Sequence, residues 1–438
     1  MGEARGDGTD SATSTGGGHL TVVQGVALYV GAVLGTGLLA LPSLAAEAAG
    51  PASLLAWMGL IVVSIPVAAT FAALAGRYPD AGGPATFARR AFGPRVSAVA
   101  GWWFYFGALA GMPAASAFGS AYVTELIGGD QTTTIVVAVI LVAITVTVNA
   151  FGVRVSGRVQ LVFAGVLALL LIVAVVVSVP RADVSNLQPF APHGISGLAV
   201  AMSLLVWAFI GWETVTHLAV EFRNPRRDLP LATGISLAVI SVLTLAVAGV
   251  TILVLGRKAA QTDAPLALLL AEGTGISART VTAVIAVVVS LGVLNAFIAS
   301  LSKLGSALGR DGALPGWLAS GSEAGEVPRR SLLVVTIGTA LSFVIAMLSG
   351  FHIEPLLLAE NACLIGIYAI AMAAGTRLLP TGSWGWWLAL IALCLVLVVL
   401  VLAREYLLFP LVLAVGAVTY RRWSSGGNHN RSADAAAE

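Results

Sequence analysis

The chain has 438 residues, of which 58% are hydrophobic and 10% are charged, and its formal net charge is +2. Soluble domains carry about 25% charged residues, so this composition excludes an ordinary water-soluble protein. The mean hydropathy of +0.95 predicts a polytopic membrane protein instead. The two cysteines, Cys363 and Cys394, lie in apolar segments and have no zinc-site spacing.

Apolar segments long enough to cross a bilayer recur along the chain. We predict an all-α membrane protein with about 12 transmembrane helices. The polar pair Glu360-Asn361 interrupts the tenth segment, and the last two segments are short enough to form a re-entrant pair instead. The low-complexity ends, 1–19 and 424–438, are predicted to be flexible tails. The predicted spans are 21–46, 52–76, 97–127, 132–151, 157–179, 195–220, 231–255, 278–308, 331–350, 354–376, 385–402 and 405–420.

The positions of lysine and arginine set the expected orientation. With an even number of spans and a cytoplasmic N-terminus, all but five of the 23 cationic side chains fall on the cytoplasmic side, as the positive-inside rule requires. We therefore expect a multi-pass protein of the inner (cytoplasmic) membrane with both tails in the cytoplasm. The five exceptions are Arg181, Arg257, Lys258, Arg279 and Arg404.

The first span contains Gly35, Thr36 and Gly37 near its middle. Glycine weakens a helix, and irregular backbone persists at membrane depth only where protein or a polar cavity covers it. A broken helix here is therefore a candidate small-molecule site. Close packing between two helices explains the same small residues equally well.

The sixth span carries Phe209-Ile210-Gly211-Trp212 at a similar depth, and later spans begin at comparable offsets from the early ones. Five spans in each copy make the second copy inverted, as in secondary transporters with a site at the membrane midplane. We predict a first inverted repeat over 20–180 and a second over 194–377. Helices 11 and 12, over 384–421, fall outside the repeat.

Glu213 lies deep in the sixth span, where an ionised carboxylate is costly unless it is paired or hydrated. It is a candidate proton-coupling residue, and a neutral Glu213 bonded to the freed backbone of a broken helix is a compatible structural interpretation. Trp207 and Phe209 could gate a small cavity, although aromatic packing between helices accounts for each of them as well.

Two further spans carry candidate residues. The third span presents Phe106, Ala110 and Pro113 on one apolar helical face. If that face lines the cavity, nothing on it pairs with a charged side chain. Glu360 in the tenth span is a second intramembrane carboxyl, either functional or engaged in an interhelical hydrogen bond.

Other kinds of site find little support. Span eight has no adjacent Ser/Thr pair that would favour sodium binding. The segments 76–95 and 221–230 are basic and rich in turn residues, and most of their charges are expected to be solvated. The sequence contains no convincing metal spacing, phosphate loop or nucleophile–base pair, so we expect neither an enzyme nor a cofactor, and no nucleic-acid partner.

Four stretches, 34–42, 77–94, 209–225 and 309–315, resemble the amino acid–polyamine–organocation (APC) transporter superfamily. The resemblance implies a leucine-transporter-like fold, a five-plus-five inverted repeat with discontinuous helices 1 and 6, and alternating access. The break in span one and the compact length are most similar to bacterial exporters of methionine and branched-chain amino acids. Some proton-coupled members carry a lysine in the middle of helix five, which this chain lacks.

The resemblance also implies roles for individual residues. The backbone of Gly35, Thr36 and Gly37 would hold the substrate carboxylate, as exposed N–H groups at a half-helix N-terminus also suggest. Carbonyls around the sixth-helix break would hold the amino group. Glu213 matches an acidic position tied to proton sensitivity. The remaining implied positions are Trp207, Ala208, Phe209 and Gly211 around that break, with Trp207 and Phe297 as gates.

Our hypothesis is a secondary transporter of neutral, hydrophobic amino acids, acting as an exporter or proton-linked antiporter within the lipid bilayer. One alternative is an importer or exchanger of cationic amino acids or polyamines, which requires an acidic group facing the substrate side chain. The other is a membrane sensor that binds an amino acid without moving it. The low-complexity tails argue against the sensor, since neither resembles an output domain.

Overall fold

The computed structural model describes residues 19–34, 37–205, 211–261, 265–274, 277–351, 354–402 and 407–434. Within these ranges the chain is helical, and one isolated parallel bridge joins Leu20 to Phe222. Among the described residues, seven helical segments are long and apolar enough to cross a membrane. The α-helices are α1 (Val22–Val33), α2 (Gly37–Ala49), α3 (Ser53–Arg77), α4 (Pro84–Phe92), α5 (Pro94–Ile127), α6 (Gln131–Ala150), α7 (Val153–Ser178), α8 (Gly194–Leu205), α9 (Pro225–Val250), α10 (Pro265–Thr274), α11 (Ala278–Arg310), α12 (Arg329–Leu348), α13 (Glu354–Leu378), α14 (Trp384–Leu402) and α15 (Leu408–Asp434).

The first predicted span is two helices. Thr21 begins α1 with a capping box, in which its hydroxyl accepts from the Gln24 backbone N–H and its own N–H donates to the Gln24 side chain. α1 ends at Val33 and α2 begins at Gly37. The predicted break in this span is therefore confirmed.

The sixth predicted span is also discontinuous. α8 ends at Leu205, and the chain continues from Gly211 into a 3₁₀-helix over Thr214–Glu221. Gly211 has φ +130°, and a Cβ there would lie 2.9 Å from the Ala32 carbonyl oxygen in α1. Only glycine permits both this backbone conformation and this close approach, so the two discontinuous spans meet at Gly211.

Several predicted boundaries differ from the observed ones. α13 runs without a break through Glu360 and Asn361. The polar pair interrupts the apolar segment but not the helix, because polar side chains lower hydropathy without disturbing the helical hydrogen bonds. Two helices were not predicted: α4, between Pro84 and Gly93, and α10. Both are short, so hydropathy over a span-length window does not detect them.

The last helix continues beyond Ser424, where the predicted C-terminal tail begins. The Arg421 guanidinium donates to the Asp311 carbonyl at 2.8 Å, and the Ser424 hydroxyl donates to the Gly312 carbonyl at 3.3 Å. These bonds anchor α15 to the segment after α11, and the helix extends to Asp434.

The helices pack so that the discontinuous spans lie inside the bundle. α1 contacts α7, α9 and α11, and α2 contacts α8. α5 lies against α11 and α13. We call the end of the bundle formed by Leu20 and segments 78–93, 221–228 and 311–328 the N-terminal face. The end formed by segments 47–52, 182–194 and 256–261 is the opposite face.

Candidate functional site

The structure describes part of the predicted substrate site. Gly37 begins α2, and Gly211 lies at the contact between the two discontinuous spans. The predicted residues outside the described ranges are Gly35, Thr36, Trp207, Ala208 and Phe209.

The predicted α5 face is partly buried. Phe106 and Ala110 are half-buried, whereas Pro113 is buried. Phe297, the predicted gate on α11, is 8% exposed and stacks parallel to Phe104 of α5 with ring centroids 6.1 Å apart. The stack ties α11 to α5 close to the α5 face.

Glu213 is fully buried directly after the sixth-span break. Its Oε2 accepts hydrogen bonds from the Gly211 backbone N–H at 3.1 Å and from the Tyr368 hydroxyl of α13. Its Oε1 accepts from the Thr214 hydroxyl at 3.1 Å. The carboxyl thus joins the freed backbone of the break to α13, and its burial means that it meets water only after the surrounding helices move.

His217 is buried, with 1% of its surface exposed. Its ring Nδ1 lies 3.2 Å from the Ala81 carbonyl oxygen, and its ring packs 4.4 Å from that of Phe104. These contacts fit a structural residue that fastens the 3₁₀-helix to the segment after α3.

Glu360 of α13 adds an acidic group that the sequence analysis did not place near the third span. A Cβ on Gly111 of α5 would overlap its carboxylate. Gly111 directly follows Ala110 of the predicted apolar face, so α13 brings a carboxyl to the edge of that face. None of the predicted residues on this face of α5 can pair with a charged substrate side chain, but Glu360 of α13 adds a carboxyl beside the face.

Lys303 forms a buried ion pair at the N-terminal face, whereas charge counting alone places it among the cytoplasmic cations. Its ammonium is 2.5 Å from Glu221 Oε1 and donates to the carbonyls of Gly321 and Glu323 at 3.1 and 2.7 Å. The other Glu221 oxygen accepts from the Gly325 N–H at 3.0 Å. An intramembrane lysine normally marks function or pairing, and that signal was available in the sequence.

The segment after α3 is also paired to α11. The Arg310 guanidinium donates to both Asp80 oxygens at 2.8 and 2.9 Å, and Asp80 also accepts from Thr86 and from the Gly82 N–H. Burial of Asp80 opposes its ionisation, but the Thr86 bond and the Arg310 charge outweigh burial, so the pKa of Asp80 is lowered. This part of the 76–95 segment is held in ion pairs and is not simply solvated.

A neutral polar network joins α1, α6, α7 and α11. The Asn295 amide donates to Gln160 Oε1 at 2.7 Å, and its carbonyl accepts from Asn149 and Ser156, each at 3.0 Å. The Gln160 amide donates to the Ala27 carbonyl oxygen of α1 at 3.4 Å. Gln160 lies in α7, which corresponds to the fifth predicted span. It thus supplies an uncharged polar group in the span that lacks a lysine.

The overall architecture defines a class of membrane protein. The chain superimposes on the solved structure of MhsT in complex with L-phenylalanine with a TM-score of 0.62, covering 89% of this chain and 99% of that one at 15% identity. The fold is therefore the leucine-transporter-like fold, as predicted, with the first and sixth predicted spans discontinuous. Across the described residues no cluster of His, Cys, Asp and Glu could hold a metal ion.

The family follows from sequence. The profile of the amino acid permease family matches residues 20–420. The chain belongs to this family, within the APC superfamily. It is 30% identical to the uncharacterized amino acid permease YecA of Bacillus subtilis, covering 95% of this chain and 97% of that one. It is 32% identical to the L-methionine/branched-chain amino acid exporter YjeH of Escherichia coli, covering 82% and 86%.

Proposed function

We propose that the chain transports neutral, hydrophobic amino acids across the inner membrane, with both termini in the cytoplasm, as an exporter or proton-linked antiporter. The observation that carries the proposal is the contact of the two discontinuous spans at Gly211, beside the buried carboxyl of Glu213. Half-helix termini meeting near the midplane supply the N–H groups and carbonyls that a zwitterion needs.

In this proposal the backbone of Gly35, Thr36 and Gly37 holds the substrate carboxylate, and carbonyls around Trp207, Ala208 and Phe209 hold its amino group. Phe106, Ala110 and Pro113 line the side-chain pocket. Trp207 and Phe297 act as gates, and Gly211 keeps the sixth-span break against α1. The similarity to a methionine and branched-chain exporter supports this substrate class.

Counterflow in proteoliposomes tests the proposal. Vesicles loaded with unlabelled methionine should accumulate labelled methionine, and leucine and isoleucine should compete whereas arginine should not. A pH gradient across the same vesicles reports coupling to protons. Absence of counterflow with every neutral amino acid would contradict the proposal.

Exchange of cationic amino acids is the second candidate, because Glu360 lies at the edge of the apolar face. The chain is also 27% identical to the vacuolar cationic amino acid transporter 4 of Arabidopsis thaliana, over 74% of this chain and 58% of that one. Arginine counterflow without methionine counterflow would select this candidate.

We propose that Glu213 is a proton-coupling residue, and Glu213→Gln tests this role. The amide keeps the size of the side chain and most of its contacts but does not titrate, so folding should persist while the pH dependence of transport flattens. Initial rates across a series of pH values measure the effect, with Glu326→Gln in an exposed loop as the control. A pH profile identical to that of the wild type would remove Glu213 from the coupling mechanism.

A further inference from the structure

Glu360 occupies space that two glycines of α5 provide. A Cβ at Gly111 would overlap its carboxylate. At Gly107, one helical turn earlier, a Cβ would lie 4.0 Å from the Glu360 Cα and 2.9 Å from the Cβ of Cys363. A larger side chain at either glycine would force α13 away from α5, so this contact depends on both glycines and on Glu360.

The Glu360 carboxyl differs from that of Glu213 in its partners. Glu213 accepts hydrogen bonds from three donors. In the part of the chain that the structure describes, no hydrogen-bond donor contacts the Glu360 carboxylate. Its side chain is half-buried although it lies between α13 and α5. Phe106 and Ala110, which directly precede Gly107 and Gly111 on α5, are also half-buried.

In the part of the chain that the structure describes, the groups that act on the Glu360 carboxyl include another carboxyl and no cation. Glu213 is its electrostatic neighbour and has the same charge, while Cys363 lies one turn away on α13. The arginine of α13 itself, Arg377, is 17 residues further on, about 25 Å along the helix. The helices that pack on α13 are α3, α4, α5, α14 and α15. α14 carries no charged residue. The charged residues of the other four helices are Arg77, Arg89, Arg90, Arg95, Glu125, Arg421, Arg422, Arg431 and Asp434.

A carboxylate without a donor or a cation is unstable at membrane depth, and a second carboxyl within electrostatic range disfavours ionising both. We infer that Glu360 is a second proton-binding carboxyl of the transport cavity, protonated while the cavity is closed to water and deprotonated when it opens. This inference rests on the proposed transport function. In this inference α13 contacts both carboxyls, because Glu360 belongs to it and the hydroxyl of its Tyr368 donates a hydrogen bond to Glu213.

Infrared spectroscopy of the reconstituted protein without substrate tests the protonation directly. At neutral pH the wild type should show the carbonyl band of a protonated carboxylic acid, and Glu360→Gln should remove part of it. Glu326→Gln, the same change at an exposed loop carboxylate, should leave the band intact. A band of equal size in wild type and Glu360→Gln would overturn the inference.

Proton movement tests the functional part. With a pH-sensitive dye inside the vesicles, Glu360→Gln should lower the number of protons moved per methionine by about one. An unchanged proton ratio would overturn the inference. So would arginine counterflow in the wild type that Glu360→Gln abolishes, because Glu360 would then be the partner of a cationic substrate. If the wild type exchanges no amino acid, the proposed function fails, and the infrared comparison still decides whether Glu360 holds a proton.

Discussion

Replacing Lys303 by methionine is expected to destabilise the protein by about 3–5 kcal/mol, the cost of removing one partner from a buried ion pair. Lys303 is 0% exposed, and its three ammonium protons have three acceptors. Methionine fills a similar volume but leaves the Glu221 carboxylate buried with the Gly325 N–H as its remaining partner. Thermal unfolding in detergent, followed by tryptophan fluorescence, measures the loss.

Two variants make this result specific. Lys258→Met removes an exposed lysine near the opposite face and should change stability by no more than about 0.5 kcal/mol. The double variant Lys303→Met with Glu221→Gln removes both charges and should recover part of the stability, because no unpaired carboxylate remains. If Lys303→Met melted with the wild type, the pair would contribute nothing.

Substituting Gly211 by alanine should reduce methionine counterflow by about tenfold, since a binding geometry tolerates displacements of only about 0.5 Å. Alanine is strained at φ +130°, at a cost of about 1–3 kcal/mol. Its Cβ would also lie 2.9 Å from the Ala32 carbonyl oxygen, so the sixth-span break must move away from α1. Counterflow rates and melting temperatures of the same preparations separate the two effects.

Gly234→Ala is the matched control, because Gly234 lies within α9 and its Cβ would meet no atom within 4 Å. A glycine-to-alanine change at such a helical position stabilises a protein by about 0.4–1 kcal/mol, and transport should be unaffected. Equal counterflow in Gly211→Ala and Gly234→Ala would show that the contact between the two breaks does not govern binding.

The sequence was informative about the discontinuous helices because their signals are local. Gly35, Thr36 and Gly37 weaken one span, and Gly211 marks the other. Intramembrane carboxyls are rare enough for Glu213 and Glu360 to be noticed without any knowledge of the fold. Family motifs then supplied the architecture, which hydropathy spacing only suggested.

Partners were the part that could not be predicted. Tyr368 lies 155 residues from Glu213, and Glu221 lies 82 positions before Lys303. A hydropathy pattern contains no information about contacts between residues so far apart in the chain. In the sequence, Gly107 and Gly111 are indistinguishable from other small residues of a packed helix, whereas the structure places Glu360 of α13 against both of them. Hydropathy averaged over a span-length window does not detect short helices such as α4.

The polar network around Gln160 consists of carboxamides and a hydroxyl, whereas the polar groups next to α13 are the carboxyls of Glu213 and Glu360. A Cβ at Gly31 of α1 would overlap the Gln160 side chain, and a Cβ at Gly292 of α11 would lie 3.5 Å from the Gln160 amide nitrogen and 3.7 Å from the Gly31 Cα. Because carboxamides neither gain nor lose protons in the physiological range, the seam of α1 with α7 and α11 should hold equally well in acid and in alkali. Glu360 belongs to α13 and Glu213 is bonded to Tyr368 of α13, so we expect the transport site to respond to acidity through α13 and not through α7.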